Sequence, residues 1–218
     1  PNTMVLGGNF NSSCALSSTT NLQLTLDGSG AQTVTNTVTP LTLNTLTVNK
    51  SGGTATLAVN IATSVAVEIT TGILDAVTYT HTHTGAGSST LTVSNGATLK
   101  IGGTNGMLAN FGTYTFNPTS TVEYYGTSQT VAAATYGNLT LSGSGTKTFA
   151  GATTIGINLS ISGTAVANLG TSPANSTTAA LSLGGVNQAT GTWGSTASAA
   201  TNKNATWFGT TATAILNV

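Results

Sequence analysis

Two histidines, His81 and His83, are the residues whose type and spacing come closest to a metal site. On a β-strand, residues two apart point to the same face, with side chains about 7 Å apart. Two imidazoles at that spacing ligate one zinc or copper ion if a third ligand approaches, and Asp75 or Glu68 from a neighbouring segment would serve. Because the chain has no other histidine, we interpret the pair as part of a polar, solvent-facing strand and predict no metal and no cofactor.

Acid–base catalysis is the second chemistry that the sequence allows. Hydrolysis or elimination on a polysaccharide needs paired carboxylates, or a metal with a strong base. Glu68 and Asp75 are the nearest pair of acids, and Glu123 would have to approach from another layer. The chain contains no arginine to clamp an anionic substrate, and neither histidine lies in the context of a catalytic triad. We therefore predict that the protein is not an enzyme.

The composition excludes several classes of partner. Only 4% of residues are charged and the formal net charge is zero, against about 25% charged residues in an ordinary soluble domain. Nothing therefore steers the protein toward nucleic acid or an anionic membrane surface. We find no apolar run long enough to span a bilayer. Low charge, abundant threonine and serine, and a single cysteine fit an exported bacterial protein, so we expect an extracellular or cell-surface location.

Short segments of alternating apolar and polar residues recur along the whole chain, and this period-two pattern predicts half-buried β-strands. Glycine-rich turns separate the segments, and no stretch shows helical periodicity. The sequence therefore predicts an all-β protein. The clearest segments are Leu22–Leu26, Leu41–Val48, Thr54–Val59, Val65–Ile69, Ala97–Ile101, Thr121–Tyr125, Asn158–Ile161 and Ala212–Val218.

Internal repetition selects among all-β architectures. A series that opens with residues 32–34 (QTV) returns in the same order from residues 129–131 (QTV), a little under a hundred residues later. Each series holds several strand–turn units, as expected for a β-solenoid in which each coil contacts only its neighbours. Tandem β-sandwiches are the alternative. We assign residues 1–20 to an apolar N-terminal segment, 21–183 to the solenoid body, and 184–218 to a C-terminal β segment or cap.

The chain resembles secreted bacterial surface proteins, namely autotransporter-like and filamentous-haemagglutinin-like adhesins. The resemblance is carried by TVEYYGTSQTV and its continuation at 121–163, by LTVSNGATLKIGG at 91–103, and by the tail at 191–218. These motifs are repetitive and cover more than half of the chain. The resemblance implies a β-helix, a surface or extracellular location, and an adhesive or structural role, and it supplies no catalytic residues.

Both ends of the sequence are apolar and predict self-assembly. The ends of a solenoid expose backbone groups that seek partners, and soluble solenoids need polar caps. The segments Met4–Phe10 and Ala212–Val218 contain no charged residue. We therefore predict a non-enzymatic structural protein that forms a head-to-tail homopolymer, as a surface or matrix filament. The predicted contacts between subunits are Met4, Val5, Leu6, Phe10, Ile215, Leu216 and Val218.

Two other functions are compatible with the sequence. One alternative is a stalk or glycan-binding module of a larger adhesin, which would recognise sugars through exposed tyrosine and asparagine side chains. Thr-x-Thr tracts such as 45–47 and 90–92 also invite an ice-binding hypothesis, although threonine is simply a good β-former on a solvent-facing surface.

Overall fold

The computed structural model describes residues 2–14, 21–85 and 89–218. It confirms the all-β prediction: the chain is a β-solenoid of about eight turns with mostly parallel strands, and not a tandem sandwich. The chain divides into two compact units, one formed by residues 1–100 and 108–120, the other by residues 101–107 and 121–218. Of the predicted N-terminal segment 1–20, residues 1 and 15–20 lie outside the described residues.

The first unit is built from ten strands, the ninth of which ends one residue beyond it. They are β1 (Asn2–Leu6), β2 (Phe10–Ser12), β3 (Leu22–Leu26), β4 (Gln32–Asn36), β5 (Leu41–Leu57), β6 (Ile61–Asp75), β7 (His81–His83), β8 (Thr90–Val93), β9 (Thr98–Ile101) and β10 (Thr113–Phe116).

One parallel ladder runs through this unit in the order β1, β3, β5, β6, β8 and β10. The register is kept from strand to strand, so side chains of the same type lie opposite one another in neighbouring coils. Leu24 lies opposite Leu46, and Leu46 lies opposite Val67. All three are fully buried, so the core is a stack of aliphatic side chains inside the coils.

The strands β5 and β6 are much longer than the others because each one continues around a bend of its coil. Their pairing register shifts between Leu43 and Thr45 and again between Val48 and Thr54. A shift of this kind lets one strand turn a corner while it keeps its hydrogen bonds to the next coil. Lys50, which is described below, lies within the second of these register shifts.

The second unit contains twelve strands and one helical turn. They are β11 (Thr121–Tyr124), β12 (Gln129–Val131), β13 (Thr135–Leu141), β14 (Ser144–Phe149), β15 (Thr154–Ile161), β16 (Thr164–Asn168), β17 (Ser176–Thr178), β18 (Leu181–Leu183), β19 (Val186–Asn187), β20 (Thr192–Gly194), β21 (Asn202–Lys203), α1 (Ala205–Phe208) and β22 (Leu216–Asn217).

The coils of this unit stack in two parallel ladders. The strands β11, β13, β15 and β18 form one of them, and β12, β14 and β16 form the other. The core again consists of aliphatic layers, with two buried tyrosines, Tyr124 and Tyr136, whose hydroxyl oxygens lie 3.4 Å apart. The hydroxyl of Tyr136 also donates to the carbonyl oxygen of Ala132 at 2.8 Å, which satisfies its polar end inside the core.

The C-terminal segment leaves the parallel pattern. β19 pairs antiparallel with β18, and β22 lies between β17, to which it is parallel, and β20, to which it is antiparallel. α1 packs against β16. These elements bury Trp193, Phe208 and Leu216.

Two local predictions need correction in this segment. The alternation over Ala212–Val218 predicts one strand, but only Leu216–Asn217 is a strand. The backbone N–H groups of Thr213 and Ala214 both donate to the carbonyl oxygen of Gly170, so these residues do not continue the ladder. The sequence also predicts no helix, whereas α1 forms one turn. Asn204 starts that turn, because its side chain accepts hydrogen bonds from the backbone N–H groups of Thr206 and Trp207. One turn is too short to produce helical periodicity in the sequence.

Candidate functional site: two buried lysine corners and an open first coil

The two histidines lie on β7, but His81 is a buried residue and does not face solvent. Its Nδ1 lies 2.8 Å from the carbonyl oxygen of Ala109, and its Nε2 lies 2.7 Å from the hydroxyl of Thr63. The ring also stacks on Phe111 at a centroid distance of 4.0 Å. Because a carbonyl oxygen only accepts, Nδ1 carries the proton, and the Thr63 hydroxyl donates to Nε2.

This environment makes His81 a structural residue and leaves neither ring nitrogen open to a metal. Burial lowers the pKa of His81, the hydrogen bond to Ala109 opposes this effect, and the charge of His83 adds to it. His83 is half-buried, and its Nδ1 lies 3.1 Å from the carbonyl oxygen of Thr63. In the described part of the chain, no three side chains of histidine, cysteine, aspartate or glutamate come together as a metal site.

Two of the three candidate acids, Asp75 and Glu123, accept hydrogen bonds in the folded chain. Asp75 accepts a hydrogen bond from the backbone N–H of Val77 at 2.9 Å, and Glu123 accepts one from the hydroxyl of Ser142 at 2.6 Å. Glu68 and Asp75 both lie on β6 of the first unit, whereas Glu123 lies on β11 of the second. Each acid therefore has a position on the outward face of its own sheet, as the period-two pattern implies.

The threonine tracts form a ladder on the outward face of the first unit. Thr47 of β5 lies opposite Glu68 of β6, which lies opposite Thr92 of β8, and Thr92 lies opposite Thr115 of β10. The register therefore aligns Thr-x-Thr tracts that look irregularly spaced in the sequence. The rung at Glu68 interrupts the array with a charge, which weakens the ice-binding alternative.

Among the described residues, the first coil leaves part of its apolar core open. Met4 lies opposite Leu24 in the β1–β3 register and so takes a core-facing position. Leu24 is fully buried, whereas Met4 is 40% exposed and its neighbour Val5, on the outward face, is 56% exposed. An open cavity of about 330 Å³ lies at this coil. We call it the first-coil groove, and its lining residues are Met4, Leu6, Asn9, Phe10, Asn11, Ser12 and Leu22.

The predicted contact residues at the other end of the sequence are placed differently. Leu216 is fully buried, and its strand β22 has β17 on one edge and β20 on the other. The backbone of Val218 exchanges two hydrogen bonds with Gly191, at 2.9 and 3.0 Å. Ile215 and Val218 are half-buried. This strand therefore offers no free edge to a neighbouring subunit in the folded unit.

Lys50 is buried although it carries a charge, and it forms the first of two sites that we call lysine corners. Its side chain is 2% exposed. The ammonium donates to the carbonyl oxygens of Gly28 and Gly30, both at 2.8 Å, and to Oε1 of Gln32 at 2.6 Å. Burial lowers the pKa of Lys50, and the negative charge of Asp27 acts in the opposite direction.

The side chain of Gln32 connects this corner to the preceding coil. Its Nε2 donates to the carbonyl oxygens of Leu6 and Gly8, at 2.7 and 2.6 Å. Its Oε1 accepts from the backbone N–H of Gly28 as well as from Lys50. One lysine and one glutamine therefore tie three successive levels of the solenoid together, and every polar atom at the end of these side chains has a partner.

Lys147 forms the second corner with the same chemistry. Its side chain is fully buried, and the ammonium donates to the carbonyl oxygens of Gly126 and Thr127 and to Oε1 of Gln129, at 2.7, 2.6 and 2.7 Å. Gln129 in turn donates to carbonyl oxygens of the preceding level, among them that of Asn105 at 2.8 Å. Burial lowers the pKa of Lys147 to about 8, so the amine is still mainly charged at neutral pH.

Our reading of the sequence missed both corners, although a signal for them was present. The offset from Gln32 to Gln129 equals the offset from Lys50 to Lys147, and the repeat that begins with QTV already aligned the two glutamines. The chain has very few charged residues, yet a lysine occurs at the same position of both repeats. This indicates that the lysine has a specific structural role.

The fold and the repeated corners define a β-solenoid protein with duplicated coils and buried lysine–glutamine pairs. No family model matches the chain, and no curated protein or solved structure is significantly similar to it. No helix in the described ranges is both long and apolar enough to cross a membrane.

Proposed function

We propose that this chain is a non-enzymatic, extracellular structural protein that associates with a second copy of itself through the first-coil groove. The observation that carries the proposal is the open apolar core at Met4, which contrasts with the buried Leu216 of the C-terminal segment. An apolar surface of this kind is stabilised when a partner removes it from water.

A second copy fits this groove for a chemical reason. The lining of the groove carries no charged side chain and is apolar apart from two asparagines and a serine. The whole chain has a formal net charge of zero, so two copies do not repel each other on approach. The exposed Val5 adds apolar area on the outward face of the same strand.

The geometry favours a head-to-head pair over a head-to-tail filament. A filament needs an acceptor edge in the C-terminal segment, but both edges of β22 are already paired, by β17 and β20. In a head-to-head contact the same surface is used twice, around a twofold axis, and β1 would run antiparallel to its copy. Such an interface closes on itself and ends assembly at two chains.

The test is the mass of the purified full chain in solution as a function of concentration, by light scattering after size exclusion. Met4→Lys places a charge in the groove and should leave the protein monomeric, whereas Val38→Lys is the matched control. Val38 is 39% exposed, against 40% for Met4, and it is not part of the groove lining. The control should dimerise like the original chain, and circular dichroism should show the same β signal for all three.

Two results would overturn the proposal. A chain that stays monomeric at all concentrations has no self-association to explain, and equal dimerisation by the Met4→Lys variant would place the contact elsewhere. Filaments in negative-stain electron micrographs would restore the head-to-tail arrangement and would require the C-terminal segment to open.

A further inference from the structure

We propose that each lysine corner is a binding site for a small monovalent cation, in which the lysine ammonium is a tethered occupant that free ammonium can replace. The site is formed by three oxygen atoms that converge on one point. In the second corner these are the carbonyl oxygens of Gly126 and Thr127 and Oε1 of Gln129.

The donors and acceptors of the corner match in number. An alkylammonium group has three N–H donors and no acceptor, and Lys147 directs them to three oxygens at 2.6 to 2.7 Å. These distances are typical of charge-assisted hydrogen bonds. The free ammonium ion offers the same donors with one more, and it can adopt the position of Nζ if the rest of the side chain is removed.

The chemistry of the ligand set selects a monovalent cation. All three oxygens are amide or peptide oxygens without formal charge, so they provide partial charges that suit a singly charged ion. A divalent cation such as Ca²⁺ requires six to eight oxygens, usually with carboxylates among them. The site is also shielded from water, because Lys147 is fully buried. Burial strengthens each dipole, but it also removes the hydration of the cation, and this cost is what lowers the pKa of Lys147.

The second occurrence of the site is an independent observation. Lys50 meets two glycine carbonyl oxygens and Oε1 of Gln32 in the same arrangement. The two corners share neither a residue nor a compact unit. They differ in one charge, because Asp27 acts on Lys50. We therefore expect the first corner to hold a free cation more tightly than the second.

The experiment is chemical rescue of the full chain. Lys147→Ala empties the site, and Lys147→Met fills the same space without a charge or a donor. Urea unfolding of both variants and of the original chain is followed at pH 7 in ammonium chloride and in tetramethylammonium chloride of equal concentration. Tetramethylammonium is a monovalent cation without N–H donors, so it controls for ionic strength.

Ammonium should stabilise the alanine variant specifically. For a site half-filled at about 50 mM, the folding constant should rise about elevenfold in about 500 mM ammonium. The original chain and Lys147→Met should show no difference between the two salts. Lys50→Ala is the second test and should respond at lower ammonium concentration, because of Asp27.

Three results would overturn the inference. The first is an equal response of Lys147→Ala to both salts, and the second is an equal gain by Lys147→Met in ammonium. The third is failure of both alanine variants to refold in ammonium. Stabilisation by potassium chloride as well would support the site and show that charge, more than hydrogen-bond direction, determines occupancy.

Discussion

Nζ of Lys147 lies 2.7 Å from Oε1 of Gln129, and the pair repeats the 2.6 Å contact between Lys50 and Gln32. In both pairs the lysine follows the glutamine by 18 residues, which is about one coil. A buried lysine that loses its acceptors is strongly destabilising, so these pairs specify which coil stacks on which. Because the lysine corner occurs twice, a substitution in one corner can be compared with the same substitution in the other.

The first corner should anchor the coil that carries the proposed contact surface. Lys50→Met removes the charge that orients Gln32, and Gln32 is bound to the carbonyl oxygens of Leu6 and Gly8. Since a hydrogen bond to a charged group contributes roughly 1.5–3 kcal/mol, amide exchange in residues 2–12 should accelerate by about tenfold or more. Hydrogen-exchange mass spectrometry measures this directly. Lys147→Met is the matched control, and an equal acceleration by both variants would contradict the assignment.

Alkaline pH should stabilise the second unit. Burial lowers the pKa of Lys147 from 10.5 to about 8, so between these values the unfolded chain binds more protons than the folded one. Stability therefore rises with pH through that window and is lower below it. The gain approaches roughly 3 kcal/mol by pH 10.5. Urea midpoints measured at pH 7 to 10 test it, and Lys147→Met should remove this part of the slope. A slope that is the same in that variant would assign the effect to other groups.

Mild acid should destabilise the first unit through His81. The pKa of His81 is lowered, mainly by burial, from 6.5. As pH falls below 6.5 the unfolded chain takes up protons before the folded one, so the free energy of unfolding decreases. Denaturation midpoints between pH 7 and pH 5 should fall for the original chain and fall less for His81→Gln. His83→Gln is the comparison, and it should keep most of the decrease, because burial is the main cause of the lowered pKa of His81 and the charge of His83 is a smaller one.

Two neighbouring glycines should differ sharply in their tolerance of a methyl group. A Cβ at Gly28 would lie 2.2 Å from the carbonyl oxygen of Gly7 in the adjacent coil, whereas a Cβ at Gly30 meets no atom within 4 Å. Gly28→Ala should therefore force the two coils apart and cost about 1–3 kcal/mol, as overpacking does. Gly30→Ala should remain within about 0.5 kcal/mol of the original chain. Thermal unfolding of the two variants decides the matter, and similar melting temperatures would mean that the coils at Gly7 can move.

The alternation of residues predicted where the strands of the solenoid body lie, but not that Leu41–Val48 and most of Thr54–Val59 belong to one long strand, Leu41–Leu57. Leu22–Leu26 is a strand with the expected bounds, and Thr121–Tyr125 is one to within a residue. These two segments could be predicted because a half-buried strand alternates apolar and polar residues, and this period of two is visible in the sequence. The C-terminal segment 212–218 did not follow the rule, because its pairing with β17 and β20 depends on residues up to 41 positions away.

By itself, the sequence determined the all-β class and the repeat, and it favoured the solenoid over tandem sandwiches, since these are patterns that recur along the chain. Only the tertiary structure decided the chemistry. It buried His81 against Phe111, aligned threonine tracts of unequal spacing, and left the core open at Met4. It also brought Lys50 and Lys147 onto carbonyl oxygens some 20 residues earlier in the chain. The reason is physical. The stacking of coils determines which side chains are buried against one another, and this depends on the register between neighbouring coils. The residue types within a single coil do not specify that register.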